Sequence, residues 1–225
     1  MAFDRESFTD FLISSGVVGC FPEGRKLSSG RLSHWYANCR VLSDTARALE
    51  ALAGFVLDFT DSLGLEYDFF FGVPEGGTKL GIMLNMLKAQ RESNPGQPVV
   101  MGRGREKEHG DPRDRYVIGP LNSGDRIVVV EDVTTTGGSL FETVNRLRSM
   151  GAETEAAVAL VNRLETREDG TGVEEAAEQS GFRYCAMSTA EDLIPLFIQR
   201  SSPAAEVIAC IEDDFRKYGV RPLEL

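Results

Sequence analysis

Val128-Val-Val-Glu-Asp-Val-Thr-Thr-Thr-Gly-Gly-Ser-Leu140 is the stretch whose reading decides the fold. Ile127 to Val130 is a β-branched run that follows a Gly124-Asp125 turn, the pattern of a strand buried on both faces in a parallel sheet. Glu131 and Asp132 follow, then Thr134, Thr135, Thr136, Gly137, Gly138 and Ser139. Leu140, Val144 and Leu147 recur at helical spacing, predicting a helix over 140–150. A hydroxyl- and glycine-rich turn that opens a helix directs N–H groups and a positive dipole end at an anion, so a phosphate fits there. Two carboxylates just before it repel a bare phosphate. They suit sugar hydroxyls, whose hydrogen bonds they accept, or a divalent cation. A phosphorylated sugar satisfies both halves. An ordinary strand–turn–helix with a polar loop could be written in the same residues. A P-loop is disfavoured, because Gly-x-x-x-x-Gly-Lys-Ser/Thr occurs nowhere, and no Gly-x-Gly-x-x-Gly opens a helix.

Outward from that stretch, strands alternate with helices, which predicts a parallel sheet. Helices are expected near Phe8–Gly16, over 43–63, 79–91, 172–179 and 204–218, with a short helical turn at 192–197. Strands are expected at 67–71, 98–101, 127–130, 155–161 and 182–186. Residues 20–40 read as a turn-rich hairpin, with Tyr36, Asn38 and Val41 extended. Residues 1–42 are expected to form a small hood on an α/β core of 43–225, within a single domain of 1–225. Residues 102–119 are charged, glycine-containing and without apolar periodicity. A loop of that length in a small domain is usually a functional lid.

Composition narrows the function. The chain has 225 residues, 42% hydrophobic and 26% charged, enough for one sizeable core. Its net charge of −11 disfavours nucleic acid and anionic membranes, and means that an anionic substrate needs a local basic pocket. Cys20, Cys39, Cys185 and Cys210 are far apart and read as thiols in a reducing compartment. The N-terminus has neither a basic segment nor an apolar one, so no signal peptide is expected, and no apolar run approaches membrane-spanning length. A soluble cytoplasmic protein is the expectation.

Three further loops carry chemistry. Gly72-Val-Pro-Glu-Gly-Gly-Thr78 joins a strand to a helix and offers N–H groups to a pyrophosphate, although a plain βα turn would look similar. Arg103-Gly-Arg-Glu-Lys-Glu-His-Gly110 holds Arg103, Arg105, Lys107 and His109. It reads as a solvated loop or as a lid that closes over developing negative charge. Arg163, in Val161-Asn-Arg-Leu-Glu-Thr166, sits at a strand end, where a planar fork suits a carboxylate or carbonyl pair. Alone, such an arginine is more often a surface ion-pair residue. His34 reads at least as well as a structural histidine as a base contact.

Together these segments resemble orotate phosphoribosyltransferases, of the type I phosphoribosyltransferase family, over nearly the whole chain. The 128–140 stretch is similar to the family's signature for 5-phosphoribosyl-1-pyrophosphate (PRPP). Leu27-Ser-Ser-Gly-Arg-Leu-Ser-His-Trp-Tyr-Ala-Asn38 resembles its N-terminal motif beneath the base, and Arg103, Lys107, His109 and Gly110 match its mobile loop. Asn162-Arg163 occupies its Asp-Arg position, and Gly170 through Leu196 follows its C-terminal pattern.

The resemblance implies a twisted, mostly parallel sheet flanked by helices, with a small N-terminal hood. It implies Arg103, Lys107, His109 and Asp132 as catalytic residues. Glu131, Asp132, Thr134 to Thr136, Gly137, Gly138, Ser139, Glu75, Gly76, Gly77 and Arg105 would bind PRPP. Arg163, Thr135, Ser28 and Tyr36 would bind the base. Also implied are Mg²⁺ held mainly by PRPP, with no direct protein ligand, and a homodimer whose lids serve the neighbouring sites. The reaction would be orotate plus PRPP giving orotidine 5′-monophosphate and pyrophosphate. Another pyrimidine or a purine as acceptor, an inactive paralogue and a non-catalytic PRPP-binding regulator stay open.

The departures lie among cations. Ser28 stands where many members have Lys, Glu75-Gly76-Gly77 where the loop often reads Tyr-Lys-Gly, and Gly104 where Lys is usual. Lys79, Arg105 and Lys26 are the candidate substitutes.

Overall fold

In the computed structural model, which describes residues 3–27, 29–105 and 115–225, the apolar run at 127–130 is the spine of the sheet. Strand β6 (Arg126–Thr134) lies between β3 (Phe69–Gly72) and β7 (Glu153–Asn162), and β8 (Arg183–Thr189) pairs with β7. All three pairings are parallel, as the alternation of strands and helices implies. Side chains alternate between the two faces. Val128 and Val130 join Phe70, Val158 and Leu160 in one apolar cluster, while Ile127 and Val129 join Phe69, Phe71 and Ala157 in another.

The first cluster is roofed by α1 (Arg5–Ser14), α2 (Ala46–Ser62), α3 (Thr78–Arg91), α6 (Ala190–Ser201) and α7 (Ala205–Tyr218). The second lies under α4 (Gly138–Ser149) and α5 (Val173–Gln179). Helix starts follow local signals: Asp4 caps α1 and Thr45 caps α2 through their side-chain oxygens.

The hood is an antiparallel hairpin of β1 (Val18–Lys26) and β2 (Leu32–Ala37), with a register shift between Cys20 and Arg25. Trp35, in β2, stacks on Phe215 of α7 with ring centroids 6.4 Å apart. Asp214, also in α7, accepts a hydrogen bond from the backbone N–H of His34 at 2.7 Å and faces His34 Nδ1 at 3.1 Å. His34 is thereby part of the hood's attachment. Phe8, Leu12 and Trp35 lie in the same apolar cluster as the buried residues of α2.

The structure corrects four expectations about the elements. The strand at 127–130 runs on through Glu131 and Asp132 to Thr134, so both acids are strand residues. The helical turn expected at 192–197 is twelve residues long, because Thr189 and Asp192 form a capping box that outweighs the break signalled by Pro195. Val41 lies in a 3₁₀ turn (Cys39–Ser43), not on extended backbone. The strand expected at 98–101 reduces to β4 (Met101–Gly102), which pairs antiparallel with β5 (Val117–Ile118) outside the main sheet. That ribbon brackets the charged loop, and Arg103 N–H donates to Tyr116 C=O at 2.7 Å. No described helix is long and apolar enough to cross a membrane.

Candidate active site

Because β6 continues through the acid pair, Glu131 and Asp132 are consecutive strand residues, and Asp132 N–H donates to Glu131 Oε1 at 3.1 Å. Glu131 lines a cavity of about 170 Å³ with Ser29, Thr135, Thr136, Gly138 and Ser139, at the start of α4. Gly137, the residue before that helix, has φ +73° and no capping side chain. A Cβ there would come within 2.9 Å of the Phe141 ring, so glycine satisfies both the dihedral and the space. The first N–H groups of α4 therefore point at the cavity without a side-chain cap.

Asp132 lines a second cavity, of about 160 Å³, beneath the hood. Its walls include Lys26, Tyr36, Asn38, Arg40 and Arg163. Val133 and Thr135 belong to both cavities, so the two adjoin. The Gly72–Thr78 loop meets the site from the other side: a Cβ on Gly76 would lie 2.4 Å from Asp132 Oδ2. The Pro74–Glu75 peptide bond in that loop is cis.

Thr135, Thr136, Gly137, Gly138, Ser139, Glu131, Asp132 and Tyr36 thus come together in or beside two joined cavities. Gly76 adjoins Asp132, Glu75 adjoins Gly104, and Gly77 is buried beside the backbone of Val73 and Val130. Arg103 is half-buried and Arg105 exposed at the edge of the described segment. Ser28, Lys107 and His109 lie outside the described residues.

Two of the expected contact residues have partners within the protein. Thr134 is buried and lines neither cavity; its hydroxyl bonds the Tyr184 hydroxyl at 2.5 Å, a partner that no local motif announces. Arg163 does line the second cavity but is only 1% exposed. Its Nε donates to Glu165 Oε1 at 2.9 Å, Nη2 to Ser33 Oγ at 2.8 Å and Nη1 to Trp35 C=O at 3.4 Å. Its guanidinium also lies 4.1 Å from the Trp35 ring centroid. The strand-end fork is neither open nor on the surface; it ties the hood to the core and turns one flank to the cavity. Arg40 was missed. Its signal in the sequence is only a cation two residues after Asn38.

Burial pushes the Glu131 carboxyl well above its usual value, and the neighbouring Asp132 charge pushes the same way. Hydroxyl donors or a cation relieve such a pair, and a ribose or a hydrated Mg²⁺ offers them. The raised pKa has a testable sign. The folded state binds protons more tightly than the unfolded one, so stability falls as pH rises above about 4.5, the ordinary value. Glu131→Gln is expected to melt higher than wild type at pH 8, by ~2–4 °C for each kcal/mol relieved. The difference should close as pH falls toward about 4.5. Thermal melts across pH check this; equal melting temperatures at pH 8 would contradict it.

No family model matches the chain. Among curated proteins, it is 30% identical over 191 residues to the orotate phosphoribosyltransferase of Pyrococcus abyssi, a match covering 84% of this chain and 94% of the relative. It is 29% identical over 223 residues to that of Bordetella parapertussis, covering 95% and 96%. The crystal structure of the Francisella tularensis orotate phosphoribosyltransferase superposes with a TM-score of 0.70 at 20% identity, covering 95% of this chain and 99% of that one. At that identity the superposition speaks for the fold, and the fold is that of the type I phosphoribosyltransferases. With these relatives matched over almost their whole length, the chain belongs to the orotate phosphoribosyltransferase family.

Proposed function

We propose that the chain transfers the 5-phosphoribosyl group of PRPP to orotate, giving orotidine 5′-monophosphate and pyrophosphate, a step of de novo UMP synthesis. The observation that carries this reading is the pair of adjoining cavities. One is framed by hydroxyls and the uncapped start of α4, which suits a phosphate. The other is lined by Lys26 and Arg163, which suits a small anionic base in an otherwise acidic protein. Asp132 lines one and Glu131 the other.

In this reading the 5′-phosphate is held by Thr135, Thr136, Gly137, Gly138 and Ser139. The ribose hydroxyls donate to Asp132 and Glu131. The orotate nitrogen forms its bond to the anomeric carbon as the bond to pyrophosphate breaks, through an oxocarbenium-like state. The proton on that nitrogen leaves with the departing pyrophosphate, a basic polyanion, and the direct displacement needs no covalent enzyme intermediate. The protein's part is to position both substrates and to stabilise the departing charge. Arg103, Arg105, Lys107 and His109 are proposed to close over the pyrophosphate, with Glu75 to Gly77 below it. Mg²⁺, bound mainly by PRPP, supplies charge neutralisation at the pyrophosphate, and the acid pair fits contact with its hydration shell. The working unit is proposed to be a cytoplasmic homodimer whose lids reach the neighbouring site; free thiols at Cys20, Cys39, Cys185 and Cys210 are compatible with that compartment.

Initial rates of pyrophosphate release, with PRPP, Mg²⁺ and a panel of bases, test the reading. Orotate is expected to give the highest kcat/KM, and uracil, which lacks the carboxylate, only a small fraction of it. Preferred turnover of another base would refute the substrate, and no turnover of any base would favour a PRPP-binding regulator. The same assay on mixed Lys107→Ala and Asp132→Asn subunits should recover part of the activity; no recovery in verified heterodimers would place each site within one subunit.

A further inference from the structure

The two positions where the family often carries a cation near the pyrophosphate, Gly76 and Gly104, are glycines here, and each lies against a carboxylate. A Cβ on Gly76 would lie 2.4–2.7 Å from the carboxyl atoms of Asp132, and one on Gly104 would lie 2.6 Å from Glu75 Oε1. Both neighbours are side-chain carboxyls, so a larger residue at either position would push a carboxylate aside instead of meeting fixed backbone. Lys79, a substitute suggested by the sequence, is committed elsewhere. Its Nζ donates to Ser43 C=O at 3.1 Å and reaches Ser43 Oγ at 3.4 Å.

Ser43 ends the 3₁₀ turn Cys39–Ser43, and its hydroxyl donates to Arg40 C=O at 2.8 Å. Lys79 therefore braces the turn that carries Arg40. Arg40 Nε lies 3.8 Å from Asp132 Oδ2, the oxygen that Gly76 also approaches, and the Arg40 side chain is 72% exposed. An ion pair that long and that exposed contributes little and is readily exchanged for a better partner. A diphosphate is such a partner, because a guanidinium fork matches two phosphate oxygens at once.

We propose that Arg40 is the pyrophosphate-binding cation of this enzyme, taking the place left by Gly76 and Gly104. On binding of PRPP it turns from Asp132 to the diphosphate, which also leaves Asp132 open to the ribose hydroxyls. The inference rests on the PRPP reading above and deepens it.

Calorimetric titration with inorganic pyrophosphate and, separately, ribose 5-phosphate tests this without turnover, on wild type, Arg40→Ala and Arg40→Lys. Arg40→Ala is expected to weaken pyrophosphate binding about 10- to 100-fold, the loss of one charge-assisted bond or a little more. Ribose 5-phosphate binding and the melting temperature should stay close to wild type. Arg40→Lys should recover only part of the loss, since an ammonium lacks the fork. In steady state, Arg40→Ala should raise the PRPP KM and leave the orotate KM nearly unchanged. Unaltered pyrophosphate affinity in Arg40→Ala overturns the proposal, as does a raised orotate KM with normal pyrophosphate binding, which would make Arg40 a base contact. If wild type binds neither probe, the PRPP reading fails and takes this inference with it. If both probes bind but orotate is not a substrate, only the choice of base fails.

Discussion

Arg163→Ala is expected to lower stability by ~3–5 kcal/mol, a fall in melting temperature of roughly 6–20 °C for a chain of this size. The guanidinium is buried, and three of its N–H groups are bonded to Glu165, Ser33 and Trp35. Removing it leaves Glu165, itself buried, with Arg31 at 3.1 Å as its remaining ion-pair partner. It also strips one face of Trp35, the residue by which the hood stacks on α7. Breaking a buried pair from one side is costly because the surviving charge stays desolvated. Arg163→Lys should rescue poorly, since one ammonium cannot reach three acceptors spread around a planar fork. Where the alanine variant remains folded, the orotate KM should rise and PRPP affinity should stay near wild type, because Arg163 lines the hood cavity and not the one at α4. Thermal melts decide the structural half. A melting temperature within a degree or two of wild type would show that the guanidinium is not what holds the hood.

What the sequence made legible, and what it hid, follows from the range of the interactions. The sheet was legible because Ile127 to Val130 and the runs around 69–71 and 156–161 are apolar enough to require burial on both faces, which is a local property of the chain. The turn that opens α4 was legible because its glycines and the helix are consecutive. The length of α6 was hidden by Pro195, whose break signal is local while the capping box and buried Leu193 and Ile194 outweigh it. Arg163 was placed at the right strand end, but its partners Ser33 and Trp35 lie 130 and 128 residues away, and no spacing rule reaches that far. Tyr184 beneath Thr134 was hidden for the same reason, at a separation of 50 residues. Arg40 escaped because its meaning depends on Asp132, which β6 brings within 3.8 Å of it, and on Gly76 beside that carboxylate.

The second large effect is expected at the acid pair. Each carboxylate is taken to accept hydrogen bonds from ribose hydroxyls, and an amide is a poorer acceptor. A charge-assisted bond is worth about 1.5–3 kcal/mol, so Glu131→Gln with Asp132→Asn should weaken PRPP by roughly two to four orders of magnitude if the two add. Neighbouring residues seldom add fully, so the lower end is the firmer expectation. The fold should survive, because Glu131 is a buried acid that the fold tolerates rather than needs, and Asp132 sits at a cavity wall. A melt of the double variant at or above wild type would separate lost binding from lost structure.

Titration of PRPP with Mg²⁺ into the wild-type chain and into this double variant is the most direct test, since every role proposed here depends on PRPP lying across Glu131, Asp132 and the loop that follows. The expected result is saturable binding to wild type and a loss of at least a hundredfold in the folded variant. Equal affinity in the two would contradict the account, because the acid pair would then not be where the ribose lies.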